Sequence, residues 1–256
     1  MNRKKEDLIL RNRFLELAHT ADKQGICTFS NFLNLDEQNT FFNLKHELPK
    51  IKYFSFGGYE SSERKMLCFC QDFQVESNDE INYPITIVKI QPINHKFSDD
   101  LTHRDFLGAV LNLGIDRNTT GDILIKDNIG YVFALDTIGQ FISDHLSQVK
   151  NTMVETSLLK HKDFAYKPSF KEKKGSVSSV RLDSILSVAL NLSRSKASDI
   201  IKAGKVFINS RVTLSNSQGL EEGDLISVRG IGKFMYLGII GKSKKDRYII
   251  KINIYQ

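Results

Sequence analysis

Apolar residues recur along this chain with two different periods, and the switches between them divide it into segments. Near the amino end Leu8, Phe14, Leu15, Leu17 and Ala18 make an amphipathic first helix. A second helix, capped at Asp36 or a neighbour, carries Phe41, Phe42 and Leu44. Residues 53–59 enter a turn, and 65–69 alternate as a strand. From residue 81 the order becomes strand (85–90), helix (102–113, stopped by Gly114), strands (122–125 and 131–135), helix (137–149) and strand (152–155). That β-α-β-β-α-β order predicts a ferredoxin-like (RRM-like) domain. Farther on, Leu182, Ile185, Leu186 and Ala189 mark one helix face, and Ala197, Ile200 and Ile201 a second. Gly204 ends that second helix, a short strand follows at 206–208, and Glu222-Gly223-Asp224 turns the chain into 225–228. The expected fold class is α+β. A mixed N-terminal domain spans 1–80, the ferredoxin-like middle domain 81–160, a basic linker 161–179, and a small C-terminal domain with further strands 180–256.

Charge separates the ends of the chain. Residues 167–256 hold 17 Lys and Arg against 7 Asp and Glu, whereas residues 1–166 hold 19 against 23. A polyanion would therefore meet the carboxy-terminal third first. No apolar run reaches the roughly 18 residues of a membrane span, and the start leads into an amphipathic helix rather than a signal peptide's apolar core. The expectation is a cytoplasmic protein without membrane insertion. Its three cysteines show no zinc-ligand spacing, so they are read as buried thiols, with no metal and no cofactor.

The cations at the second C-terminal helix are unusual. Ser193 is a good N-cap, and Arg194 and Lys196 then occupy the first turn, where the macrodipole disfavours each cation by roughly 0.3–1 kcal/mol. An anion outside the protein accounts for that placement, since helix-start amides also favour phosphate. In the middle domain Tyr131 and Phe133 alternate onto one sheet face, a place that serves either base stacking or packing. His103-Arg104-Asp105 imitates a kinase catalytic loop, but its flanking signature is missing, and it reads as a polar helix face. Gly57-Gly58 reads as a turn, with no Walker-type lysine behind it.

Residues 180–234 resemble the S4 RNA-binding domain. The resemblance rests on Arg181-Leu182-Asp183, Ser193-Arg194-Ser195, Ala203-Gly204-Lys205-Val206 and Glu222-Gly223-Asp224 occurring in that order. Together with the cations of that helix start, it makes Arg181, Ser193, Arg194, Lys196, Lys202, Lys205, Asn209, Arg211, Arg229 and Lys233 the candidate RNA-binding residues, for phosphates or base edges. Capping explains Ser193 equally well, and turn formation explains Asn209. In pseudouridine synthases an Arg-Leu-Asp aspartate is catalytic, but in another domain; here Asp183 is read as favouring a helix start. Over most of its length the chain is similar to the YlmH family of bacterial S4-domain proteins. Phe56-Gly57-Gly58-Tyr59-Glu60, Glu63-Arg64-Lys65, the segment 101–109, Leu113-Gly114-Ile115 and Gly121-Asp122-Ile123 carry that likeness. Lys233 stands where the family pattern has arginine, which keeps the charge and loses the planar fork. The resemblance implies a non-enzymatic, ribosome-associated protein whose partners are structured RNA (rRNA and tRNA), the large ribosomal subunit and a cell-division protein. It also implies a role in ribosome quality control or translation. Two alternatives stay open: an RNA-modifying enzyme (rRNA pseudouridine synthase or methyltransferase) with an appended S4 domain, and a cell-division adaptor.

Overall fold

A computed structural model describes residues 3–71, 75–164, 166 and 168–255, and these form two compact units, 1–166 and 167–256. In the first unit Arg3–Gln24 (α1) buries Phe14, Leu17, Ala18 and Ala21. It is followed by Thr28–Phe29 (β1) and Leu35–Leu44 (α2). The cap of α2 is Asn34, two residues before Asp36. Its Oδ1 accepts from the amides of Asp36 and Glu37 at 2.9 and 3.0 Å, and Glu37 accepts in return from the Asn34 amide. Lys52–Phe56 (β2) and Met66–Cys70 (β3) complete a three-stranded sheet in the order β1-β3-β2. Phe41 sits at its centre with Phe14, Tyr53 and Phe69 around it, ring centroids 4.9–5.8 Å away.

The next elements are Ile85–Pro92 (β4), His103–Asn112 (α3), Thr120–Lys126 (β5), Ile129–Leu135 (β6) and Asp136–His145 (α4). Gln148–Val149 (β7) and Thr152–Lys160 (β8) close the unit. All strands pair antiparallel in the order β5-β6-β4-β8-β7. Setting aside the short β7, this is the ferredoxin-like arrangement that the element order predicts. The second helix ends four residues before Val149: Leu146 turns extended, and Leu146 and Val149 stay in the core through a short strand instead. Val88, Ile90, Val132 and Ala134 face the helices and pack with Phe106, Val110 and Ile142.

The opposite sheet face is covered. Ile85, Ile87 and Phe133 share a core with Phe32, Tyr59 and Met66 of the preceding segment. Phe133 is fully buried, with Tyr59 and Phe164 rings at 5.2 and 5.6 Å, and Tyr131 lies 5.1 Å from Phe164. Packing, not base stacking, therefore uses these two aromatics. Gly58 explains the tightness of the fit: at φ +99° it has no side chain, and a Cβ there would stand 2.3 Å from a Phe133 ring carbon. Residues 1–80 and 81–160 thus share this core in addition to one of their own each, around Phe41 in the first and around Phe106 and Ile142 in the second.

The second unit runs Phe170–Val177 (β9), Leu182–Leu190 (α5), Arg194–Lys202 (α6), Val206–Ile208 (β10), Arg211–Val212 (β11), Leu225–Val228 (β12), Gly232–Lys242 (β13) and Tyr248–Tyr255 (β14). Its six strands follow the order β11-β10-β12-β13-β14-β9. The predicted faces of α5 and α6 are buried against Val206, Ile226, Phe234, Tyr236, Ile250 and Ile252. Residues 170–177, expected within a basic linker, are instead an edge strand paired along the whole of β14. Backbone bonds hold it and lysines line it, which is how sheet edges resist further pairing. Lys173 crosses to the end of α5, donating to Asn191 Oδ1 at 2.5 Å and the Ala189 carbonyl at 3.4 Å, where a cation complements the helix C-terminus.

Candidate nucleic-acid interface

The C-terminal cations are ordered by one buried acid. Asp183 lies in the first turn of α5 and is 7% exposed. Its Oδ2 accepts from Arg194 Nη2 at 2.8 Å, and its Oδ1 from Arg181 Nε at 3.2 Å and from the Ser184 amide at 2.9 Å. Desolvation pushes this carboxyl up, but the hydrogen bonds and charges of Arg194 and Arg181 outweigh it and hold it below the usual carboxylate range. The two arginine side chains stay 42% and 57% exposed. Each keeps further N–H donors beyond the bond that anchors it. Asp183 therefore does more than favour a helix start, and Arg194 has an internal anion as well as room for an external one. Sequence spacing gave no sign of this, since the pair is 11 residues apart across a turn.

Ser193 Oγ accepts from the Lys196 amide at 3.2 Å and so serves as the cap of α6. Lys196 is exposed one residue pair beyond Arg194 on that first turn. Lys202 is exposed in the last turn, where the macrodipole alone suits a cation. About 12 Å of helix separates Arg194 from Lys202. Asn209 builds the turn between β10 and β11: it adopts φ +48°, donates to Asp224 at 2.7 Å and accepts from the Leu225 amide at 3.0 Å. Both ends of its amide are thus engaged, and Arg211 follows it, exposed on the sheet edge.

A second group lies on the sheet face turned away from the helices. The Arg229 amide donates to the Lys205 carbonyl at 2.9 Å, and its guanidinium stands 5.4 Å over the buried Phe207 ring. Phe207 pairs with Ser227, and Ser227 with Lys233. The Lys233 ammonium stands 4.8 Å over Tyr255, which pairs with Phe170 at a ring separation of 4.8 Å. Structured RNA offers phosphates for such cations and bases for the exposed Phe170 and half-buried Tyr255 rings, while the buried Phe207 supports Arg229 from below. The aromatic members of this row, Phe170, Phe207 and Tyr255, lay outside the sequence expectation because strand register alone aligns them.

In the first unit the distinctive motifs meet at Asp122. This carboxylate accepts from Tyr59 Oη and the Glu63 amide, both at 2.7 Å, and from the Arg64 amide at 3.0 Å. Arg64 donates to the carbonyls of Thr120, Phe32 and Arg117, while Arg117 donates to those of Thr120 and Gly121. Burial, then the neighbouring Arg64 charge, lowers Arg117 to about 10. These contacts fix a loop against the ferredoxin-like sheet. Asp105 accepts from the Thr102 amide and hydroxyl at 2.8 and 2.7 Å, closing the capping box of α3. His103, one residue into that helix, is lowered by desolvation and then by Arg117. Asp105→Ala should therefore lower the melting temperature through the lost capping box, and leave ribosomal RNA modification unchanged. Thermal unfolding and mapping of modified nucleotides check the two halves.

Comparison with known proteins agrees with this layout. Residues 78–163 match the family described as "Putative RNA-binding domain in YlmH", and residues 180–226 match the S4 domain. The chain is 25% identical over 249 residues to the Ribosome-associated protein quality control protein P2 of Bacillus subtilis (strain 168), spanning 96% of this chain and 94% of that protein. It is also similar to the solved Cell division protein ylmH from Streptococcus pneumoniae, at 21% identity and a TM-score of 0.49, covering 63% of this chain and 95% of that one. No helix among the described residues is long and apolar enough to cross a membrane.

Proposed function

We propose that this chain, which matches the YlmH RNA-binding domain and the S4 domain, is a YlmH-type S4-domain protein that grips structured RNA of the large ribosomal subunit through its C-terminal unit. The observation that carries this is the buried Asp183 holding Arg181 and Arg194 with their outer faces exposed. Lys196 adds a further exposed cation to the first turn of α6, where the macrodipole alone favours acids. Arg181, Arg194 and Lys196 are assigned to phosphates at that helix start. Lys202, Lys205, Arg211, Arg229 and Lys233 extend the same basic surface, with rings beside two of them. Ser193 and Asn209 hold the frame. The chain acts in the cytoplasm, without catalysis of its own, in the quality-control role that its Bacillus relative's name describes, with rRNA and peptidyl-tRNA as the RNA partners. Support for a non-catalytic role comes from the Asp122 and Asp105 clusters, both consumed by structural bonds.

Co-sedimentation of the purified full chain with large ribosomal subunits tests this. Binding is expected at moderate salt, with steep release as salt rises, because each phosphate contact frees condensed counterions. Ribonuclease should release it too. Binding that survives both treatments would favour the cell-division or protein-adaptor reading, and a wild-type-dependent change in rRNA modification would favour the modifying enzyme.

A further inference from the structure

Cys27 lies 41 residues from Cys68 in sequence, yet the sulfurs of Cys27, Cys68 and Cys70 all fall within 4.8 Å of one another. Strand pairing causes this. Thr28 and Phe29 of β1 pair with Phe69 and Cys68 of β3, which brings Cys27 alongside the end of β3. Cys68 and Cys70 alternate onto one face of that strand. Both are fully buried, whereas Cys27 is half-buried and gives solvent a way in.

We propose that these three thiols form a site for one thiophilic divalent ion of the zinc class. Zinc–thiolate bonds of about 2.3 Å in tetrahedral geometry place sulfurs roughly 3.8 Å apart, so the sulfurs need to close by no more than about 1 Å. A disulfide would use two of the three and strand the last; one metal ion engages all of them. Among the described residues no histidine or carboxylate joins the group, and the fourth position falls to solvent near Cys27. Binding converts three thiols and a divalent ion into a tris-thiolate complex of charge −1 with release of three protons. Lys52 supplies the balancing charge: its ammonium donates to the Val75 carbonyl at 3.1 Å, and its field favours the Cys70 thiolate. Burial otherwise raises Cys68 and Cys70, which keeps the thiols protonated and unreactive until a metal displaces those protons. The consequence for the fold is a clamp. β1 has only two residues, and a bound ion would pin it to β3 beside the core under Phe133.

The test uses the full chain, reduced, freed of metal by a chelator and kept anaerobic, with cobalt(II) as the spectroscopic probe. One equivalent should bind with thiolate-to-cobalt charge-transfer absorption and the intense visible bands of a tetrahedral site, and zinc should displace it. Cys27→Ser, at the half-buried position, is the informative variant because the two core cysteines stay in place. It should lose affinity by more than the roughly 10–100-fold that outer-shell changes cost, while the apo variant keeps the wild-type far-ultraviolet spectrum. Zinc should raise the melting temperature of the wild type and not of Cys27→Ser. Either of two outcomes overturns the proposal: no stoichiometric cobalt binding, or equal binding by Cys27→Ser.

Discussion

Asp183→Asn should destabilise the C-terminal unit by about 1.5–3 kcal/mol, the range for hydrogen bonds to charged groups. The lower half of that range is expected, since solvent screens both arginines, 42% and 57% exposed. Asparagine keeps one acceptor but loses the charge and turns an amide N–H₂ toward a guanidinium. For a unit of this size each kcal/mol moves the melting temperature by about 4–8 °C, so the shift is easily measured. The pH dependence has a definite sign. The folded carboxyl lies below its unfolded value of about 3.9, so its stabilising effect is complete above that value. It is lost as pH falls through the folded pKa. The gap between wild type and variant should therefore stay constant from pH 6 to 8 and close only in acid. RNA affinity should fall as well, because the arginines lose their anchor.

Replacing Arg181, Arg194 and Lys196 together with Gln should produce the largest loss of RNA affinity. Three phosphate contacts removed should make the log–log salt slope shallower by about 2–3. Single changes divide the roles. Lys196→Ala should weaken binding and leave stability unchanged, or raise it by about 0.3–1 kcal/mol through the macrodipole. Arg194→Ala should weaken binding and lower stability, since Asp183 then keeps Arg181 as its one arginine partner. Salt titrations of binding to large-subunit rRNA, run beside thermal melts, separate these outcomes. Equal salt slopes for wild type and the triple variant would remove the helix start from the interface.

The helices of the C-terminal unit were legible because their periodicity is local: Leu182, Ile185, Leu186 and Ala189 are all buried as the 3.6-residue repeat requires. The ferredoxin-like order was legible for the same reason. What escaped depends on distant pairing. Residues 170–177 gave no alternation because an edge strand carries lysines on both faces, Lys171 and Lys173 on one and Lys174 on the other. The fate of Phe133 was set by a layer contributed by Phe32, Tyr59, Met66, Phe164 and Tyr166, not by its own strand. The cations of the interface stood out in sequence as misplaced charges; their organiser, Asp183, did not, since an aspartate in a first turn already has a sufficient local explanation. The three cysteines needed the register of β1 on β3 before any grouping was visible.

RNA should meet this chain at its C-terminal unit. Crosslinking the full chain to bound large ribosomal subunits and identifying the peptides that carry nucleotides tests it directly. Adducts are expected on peptides containing Arg181, Arg194, Lys196, Lys205 and Arg229. Nucleotide adducts confined to residues 1–166 would contradict the account.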